Sequence, residues 1–264
     1  MRLFIKVFFQ TKFMMKNSLV LFSILYFLSC KTTTEPTVIP QTSLSLQIIP
    51  DYNGSPLVMY KTYNYNGKAI QFTKFSFILS KFCEQTSTDC GNRQIQFNFS
   101  GLTDSLIALK GLTNTIGISG SKIQNLVLGF GVDGSANSTI PAKQPQTSPL
   151  ANGLNYWEAW DSYIFLSVQG MYDNDGNGTL ETPFAFDTGG NEVYSEKILS
   201  LNNYIPNSTA TSVNLLFNLN LSSVLNTIDF NVITQTSKFV DIPLMKVLMK
   251  NLQNSLVYKG ISVK

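Results

Sequence analysis

The chain has 264 residues, of which 44% are hydrophobic and 13% are charged, so it can bury the core of one large domain or of two smaller ones. It contains no histidine, which excludes a Ser-His-Asp triad, a Cys-His dyad and imidazole metal ligands. The formal charge is +3, but four of the 19 basic residues precede Cys30. Without these four, 15 basic residues stand against 16 acidic ones. The rest of the chain therefore gives no electrostatic reason to expect a nucleic-acid partner.

The amino-terminal end is typical of an exported protein. An apolar run from Ser18 to Leu28 follows Lys16 and is too short to span a membrane comfortably, as in a signal peptide. It ends in Phe27-Leu-Ser-Cys30, which resembles a bacterial lipobox with Cys30 as the acylated residue. The alternative is an ordinary secretory signal, or a helical anchor, that happens to contain a cysteine.

These features divide the chain into three parts. We predict a signal peptide over residues 1–29, a lipidated Cys30 with a flexible tether over residues 30–42, and one folded domain over residues 43–264. A lipid on Cys30 attaches the domain to a membrane without a spanning helix. We therefore expect a cell-envelope protein that is anchored to the outer membrane and faces the periplasm or the cell exterior.

Alternation of apolar and polar residues predicts half-buried strands along most of the domain. The alternation is clearest over residues 44–48, 95–99 and 213–221, and further strands are predicted over 57–65, 122–132 and 162–169. Between Ile70 and Leu79 the alternation changes phase, which indicates a β-bulge at Thr73 or Lys74. Asn53-Gly54 and Asn66-Gly67 are turn signals.

Helical spacing is convincing only after Pro243, with a shorter candidate over residues 222–228. Residues 134–155 contain three prolines and little periodicity, and a loop of this length is usually functional or disordered. We predict an all-β fold, a single antiparallel β-sandwich with long loops and a short C-terminal helix.

Two cysteines remain after Cys30. Cys83 and Cys90 are seven residues apart, and in an oxidising compartment we expect them to form a disulfide. A two-thiolate copper site is the alternative, since soft thiolates favour cuprous ion.

Residues 173–181 resemble the first half of a calcium-binding loop. Side-chain oxygens occupy its first, third, fifth and ninth positions and a glycine occupies its sixth. The candidate ligands are Asp173, Asp175, Asn177, the carbonyl of Thr179, and Glu181. The expected bidentate glutamate is replaced by Phe184, so Asp187 would complete the set only if the loop folds differently. The alternative is a solvated turn between two strands.

Both tryptophans lie in one aromatic cluster, as Trp157 and Trp160. The ordinary interpretation is an aromatic edge of the core; the alternative is a site in which a tryptophan is a ligand or is oxidised. Glu158 and Asp161 could act as acid and base in a hydrolase, but we interpret them as surface charges and predict that the protein is not an enzyme.

Several short motifs follow one another in a recognisable order. Gly131-Val-Asp and a proline-rich loop precede Asn152-Gly and Trp157, and the order ends at Asp187-Thr-Gly-Gly190. Over residues 44–258 this succession resembles the MbnP-like family of methanobactin-associated copper-binding proteins.

The resemblance implies a copper-binding β-sandwich and a di-haem peroxidase-like partner that converts a tryptophan to kynurenine. Trp157 is the implied tryptophan and Trp160 the alternative, whereas the family's two histidines fall at Pro50 and Asp187. Asp187 suits a hard ion better than copper. We predict a metal-binding lipoprotein of the copper-homeostasis type; the alternative is a non-catalytic surface module stabilised by calcium.

Overall fold

The computed structural model describes residues 41–87, 90, 93–119, 123–201, 212–237 and 239–263. Cys30, the predicted signal peptide and the tether up to residue 40 lie outside the described residues. The strands are β1 (Gln41–Tyr52), β2 (Ser55–Pro56), β3 (Thr62–Tyr65), β4 (Lys68–Glu84), β5 (Gln94–Asn98), β6 (Leu112–Ser119), β7 (Asn125–Phe130), β8 (Tyr156–Trp157), β9 (Ser162–Tyr172), β10 (Thr182–Gly189), β11 (Ser195–Ser200), β12 (Ser212–Asn220) and β13 (Leu256–Val263). The α-helices are α1 (Ser105–Lys110), α2 (Gly134–Asn137), α3 (Leu221–Val224) and α4 (Ile242–Ser255).

The strands form two sheets. Sheet one has the order β13-β12-β1-β2, with β6 also paired to β1. Sheet two has the order β10-β9-β4-β7-β11, with β3 and β5 paired to β4 and with β8 paired to β9. The named strands of the described residues pair antiparallel except β1 with β12, which run parallel. The predicted all-β sandwich is confirmed, with one parallel pair in an otherwise antiparallel fold.

The core lies between the two sheets because alternate residues of each strand point inwards. In β1 the inward residues Leu44, Leu46 and Ile48 are fully buried. Tyr52 of sheet one contacts Phe72 of sheet two, with their ring centroids 5.3 Å apart. Burial of each such aliphatic or aromatic side chain contributes roughly 1.5–3 kcal/mol to folding.

The turn and bulge signals in the sequence are confirmed. Asn53 and Asn66 have φ values of 50° and 52°, and the glycine after each also has a positive φ, as a two-residue hairpin turn requires. The register between β4 and β9 shifts between Phe72 and Lys74, where the sequence changes phase. This bulge keeps the apolar residues on both sides of it in the core.

The strand predicted over residues 57–65 is wrong in its first half, since β3 begins only at Thr62. The N–H groups of Leu57, Met59 and Tyr60 donate to carbonyls in three different places, at Pro50, Leu102 and Phe72. Tyr60 also has a left-handed φ of 62°, which a strand does not accommodate. The segment is apolar because Leu57 and Met59 are buried, and burial alone does not make it a strand.

The predicted C-terminal helix is confirmed as α4 and buries Met245, Leu248, Met249 and Leu252. The chain does not end with it, because β13 follows at once and pairs with β12. The shorter helix predicted over residues 222–228 forms only in its first part, as α3, which ends at Val224. The proline-bearing segment after β7 contains α2 and several 3-10 turns. Within the described ranges no helix has the length and apolar character needed to cross a membrane.

Candidate metal and tryptophan sites

The loop of residues 173–181 connects β9 to β10 and is folded around one carboxylate. Asp173 is 2% exposed, and its two carboxylate oxygens accept hydrogen bonds from the N–H groups of Gly176 at 2.7 Å and Gly178 at 2.9 Å. Both glycines have positive φ values, of 80° and 89°, which allow the chain to turn around the carboxylate. The spacing read from the sequence therefore produces a tight loop with an oxygen donor at its centre.

Two further carboxylates of the loop lie beside Asp173. One oxygen from each of Asp173, Asp175 and Glu181 lies within 4.8 Å of the others. A Glu181 oxygen also accepts the N–H of Asn174 at 2.6 Å, which holds this carboxylate over the loop. Three converging carboxylates are ligands that a hard cation such as calcium prefers.

Asn177, another predicted ligand, uses its side chain for hydrogen bonds within the loop. The amide oxygen of Asn177 accepts the N–H of Thr179 at 2.7 Å, and its NH₂ group donates to Asp175 at 2.9 Å. Phe184, which stands where a glutamate ligand was expected, is buried in β10. The loop is flanked by the strands β9 and β10, whereas a helical calcium-binding motif has a helix on each side.

The loop also sets the protonation of Asp173. Burial raises the pKa of this carboxyl, but the N–H donors of Gly178 and Gly176 outweigh it, and the pKa lies below its ordinary value. The carboxylate is therefore held in the charged form that a cation requires.

Asp187 is not part of this loop. It lies in β10, five residues beyond Thr182, which corresponds to about 16 Å along the strand. Its side chain is 7% exposed and accepts hydrogen bonds from the Gln169 amide at 3.2 and 3.3 Å. Its own N–H donates to the Thr236 hydroxyl at 2.9 Å.

The two tryptophans stack on each other. The rings of Trp157 and Trp160 lie 4.6 Å apart and are inclined by only 11°. Trp157 is 42% exposed, whereas Trp160 is buried. The pair therefore presents one indole face to the solvent and fixes it on a second ring.

Asp161, one of the two carboxylates beside the tryptophans, has a local partner. Asp161 accepts the Tyr156 hydroxyl at 2.7 Å, and this hydrogen bond raises the pKa of Tyr156 to about 12. Asp161 also takes the left-handed conformation that ends the short turn over Glu158–Trp160. These contacts account for Asp161 as a structural residue.

Sequence reasoning missed Asn137, which attaches the long loop to the start of β9. Its amide oxygen accepts the Tyr163 N–H at 2.9 Å and the Ser162 hydroxyl at 3.0 Å. Its NH₂ group donates to the side chain of Asn191 at 2.9 Å. No local pattern identifies such a residue, because all the hydrogen-bond partners of its side chain are more than twenty positions away.

Pro50 lies at one end of the sandwich and faces its core. It is two residues before Tyr52, whose ring packs on Phe72. Phe72 is opposite Gly170 of β9, so Pro50 lies near the end of that strand.

Trp157 lies at the other end, because it pairs with Ser162 at the start of β9. Ser162 and Gly170 are eight residues apart, about 26 Å along the strand. Asp187 lies between them, opposite Ser167. The structure therefore spreads these positions along the sandwich and does not gather them into one site.

The predicted disulfide between Cys83 and Cys90 is confirmed. Because both sulfur atoms are bonded to each other, neither is a thiolate ligand for copper. Among the positions suggested for copper, Pro50 has no side-chain donor and Asp187 offers only hard oxygen. Neither Pro50 nor Asp187 therefore supplies a ligand that suits copper.

Comparison with known proteins supports a family assignment. No curated protein matches the chain. One matching solved structure is MbnP from Methylosinus trichosporium, at 9% identity, over 75% of this chain and 81% of that chain, with a TM-score of 0.47. The family model of MbnP matches residues 41–241. The chain therefore belongs to the MbnP family.

Proposed function

We propose that this chain is a non-catalytic metal-binding lipoprotein of the cell envelope. The observation that carries the proposal is the loop in which oxygens of Asp173, Asp175 and Glu181 lie within 4.8 Å of one another. Hard oxygen ligands of this kind suit a divalent cation of the calcium class. Membership of a family with a copper-related role supports metal handling as the general function.

Lipid attachment at Cys30 supplies the membrane partner in this proposal. The described domain begins at Gln41, eleven residues after Cys30, so a tether of this length reaches at most about 40 Å from the lipid. The domain then works close to the outer membrane, on its periplasmic or outer side. Mass analysis of the membrane-extracted protein tests the anchor. The proposal expects a chain that begins at a lipidated Cys30, and a chain that begins before residue 30 and carries no lipid contradicts it.

Calcium binding is tested by thermal unfolding in calcium and in chelator. A cation that binds only the folded state adds about 2.7 kcal/mol of stability at 100 times its Kd, so calcium raises the melting temperature. Asp175→Asn removes one ligand charge but keeps the oxygen that accepts the Asn177 N–H, so it reduces the calcium effect. Glu192→Gln, on an exposed turn, is the matched control and leaves the effect unchanged. Equal melting temperatures in calcium and chelator overturn the calcium part of the proposal.

A second candidate function is copper handling with an oxidised tryptophan. The exposed indole face of Trp157, stacked on Trp160, favours it because an external oxidant reaches that ring first. A di-haem peroxidase-like partner would use two molecules of hydrogen peroxide for this step. Each gives one oxygen atom to the indole and leaves as one water, and the C2–C3 bond is cleaved. Hydrolysis of the resulting N-formylkynurenine then releases formate and leaves kynurenine, a net gain of about 4 Da.

Elemental and peptide mass analysis of one native sample separates the two candidates. Bound copper together with a Trp157 peptide heavier by about 4 Da supports copper handling. A sample without copper and with both tryptophans intact removes it and leaves the calcium result to decide. Trp157→Phe is the matched variant, because it abolishes the mass change while Trp160→Phe leaves it in place.

A further inference from the structure

A row of buried polar side chains crosses sheet two on the face that points away from sheet one. Asp187, Ser167 and Ser76 lie directly opposite one another on the adjacent strands β10, β9 and β4. All three are buried, although they lie outside the apolar core. Oxygen-bearing side chains in register on one face of a sheet can share a ligand.

Among the residues that the structure describes, no cationic side chain pairs with Asp187. Throughout the described residues the one ion pair joins Lys81 to Glu196, and the Asp187 carboxylate receives only the long hydrogen bonds from the Gln169 amide. Lys74 lies opposite Gln169 but forms no ion pair with Asp187. Buried carboxylates are ordinarily paired with a cation or coordinated to a metal.

Ser167 provides an independent indication of a missing ligand. It is 1% exposed, and its hydroxyl has no hydrogen-bond partner in the part of the chain that the structure describes. A buried hydroxyl without a partner costs about 1–3 kcal/mol. Because Ser167 and Asp187 are direct neighbours across two strands, their Cβ atoms are about 5 Å apart and both polar groups face one space.

We infer that Asp187 and Ser167 bind a small hard cation of the calcium class, at a site separate from the loop of residues 173–181. Gln169 supplies a third oxygen when its amide rotates to turn Oε1 towards the ion, and Ser76 lies one strand further. The inference rests on the proposed metal-binding function and adds a second location for it. One carboxylate with neutral oxygens makes a weak site, in the range of extracellular calcium modules.

The tryptophan pair is a built-in reporter for this site. Gly189 lies next to the ring of Trp160, since a Cβ atom added to Gly189 would be 3.4 Å from that ring. Asp187 is only two residues from Gly189, about 7 Å along β10, and is therefore close to Trp160. The acidic loop follows Tyr172, ten residues from Ser162 and about 33 Å along β9. Energy transfer from tryptophan therefore reports the Asp187 site and not the loop.

The experiment adds terbium ion, a luminescent analogue of calcium, to the full detergent-extracted chain and excites tryptophan selectively. We expect terbium emission that calcium suppresses by competition. Asp187→Asn weakens terbium binding roughly 10-fold or more because the charged ligand is lost, and Ser167→Ala weakens it roughly 3-fold. Asp175→Asn leaves the tryptophan-excited emission unchanged.

Emission that is absent, or that persists unchanged in Asp187→Asn, overturns the inference and leaves an ordered water as the partner of Ser167. Should Asp187→Asn not fold, Ser167→Ala carries the test, because it removes only a hydroxyl that has no partner among the described residues. Failure here leaves the calcium-dependent melting of the loop untouched. Conversely, the loop proposal alone is overturned if calcium does not raise the melting temperature, or if Asp175→Asn does not reduce that rise, while the terbium emission is retained.

Discussion

The Tyr65 hydroxyl donates a hydrogen bond to the Leu225 carbonyl oxygen at 2.6 Å, across 160 residues of sequence. The same hydroxyl lies 2.7 Å from the carbonyl oxygen of Ile228. Tyr65 belongs to β3 of sheet two, whereas Leu225 follows α3 at the end of sheet one. One buried hydroxyl therefore joins the two sheets at the end where the acidic loop lies.

Tyr65→Phe removes this link without changing the shape of the ring. Two buried carbonyl oxygens lose their shared donor, so we expect the free energy of unfolding to fall by about 1–3 kcal/mol. Urea unfolding measures the change. Tyr60→Phe is the control, because Tyr60 is 59% exposed, and an equal loss in both variants contradicts the role of the buried hydroxyl.

Asn137→Ala tests how the long loop is attached to β9. The substitution leaves the Tyr163 N–H without its acceptor in a buried position, and we expect a loss of about 1–3 kcal/mol. Because the tryptophan pair lies between this loop and β9, tryptophan fluorescence shifts in the folded state as well.

Asn137→Asp is the matched variant for this prediction. It keeps the oxygen that serves Tyr163 but loses the NH₂ group that donates to Asn191. At acidic pH, where the new carboxyl is neutral and buries no charge, Asn137→Asp is expected to be more stable than Asn137→Ala, and the reverse order there contradicts the assignment of the acceptor as the main contribution.

Local signals in the sequence predicted the parts of the fold that depend on neighbouring residues. Asn-Gly pairs fix hairpin turns through their own φ preferences, and the phase change near Thr73 is a property of one strand. β13 was missed because its role depends on pairing with β12, far away in sequence. The segment 57–61 was assigned to a strand because burial and strand formation leave the same apolar pattern.

The candidate sites divide in the same way. The acidic loop was predictable because all its ligands fall within nine residues. Asp187 and Ser167 become neighbours only through the register of β9 and β10, which spacing along the chain does not reveal. The stacking of Trp157 on Trp160 depends on the turn that Asp161 completes.

Gly170→Ala tests the close approach of β4, β9 and β10. A Cβ atom at this position would collide with the Gln71 carbonyl oxygen and lie 2.7 Å from the Phe184 ring. The backbone cannot move aside inside a paired sheet, so we expect a loss of more than about 3 kcal/mol, measured by urea unfolding. Gly153→Ala is the control, since nothing lies within 4 Å of a Cβ atom there; a mild effect at Gly170 contradicts the predicted close packing.

The Asp173 carboxyl gives the acidic loop a pH dependence whose sign follows from its lowered pKa. Burial opposes the charged form, but the N–H donors of Gly178 and Gly176 favour it more, so the folded pKa lies below the ordinary value of 3.8. Such a group stabilises the fold above its unfolded pKa, and that contribution is lost as pH falls through the folded value. In chelator, Asp173→Asn is therefore less stable than the natural chain at neutral pH, and the difference shrinks in acid. Urea unfolding from neutral to acidic pH measures it, with Glu192→Gln as the control. A difference that stays constant with pH would mean that the shape of the side chain, and not its charge, holds the loop.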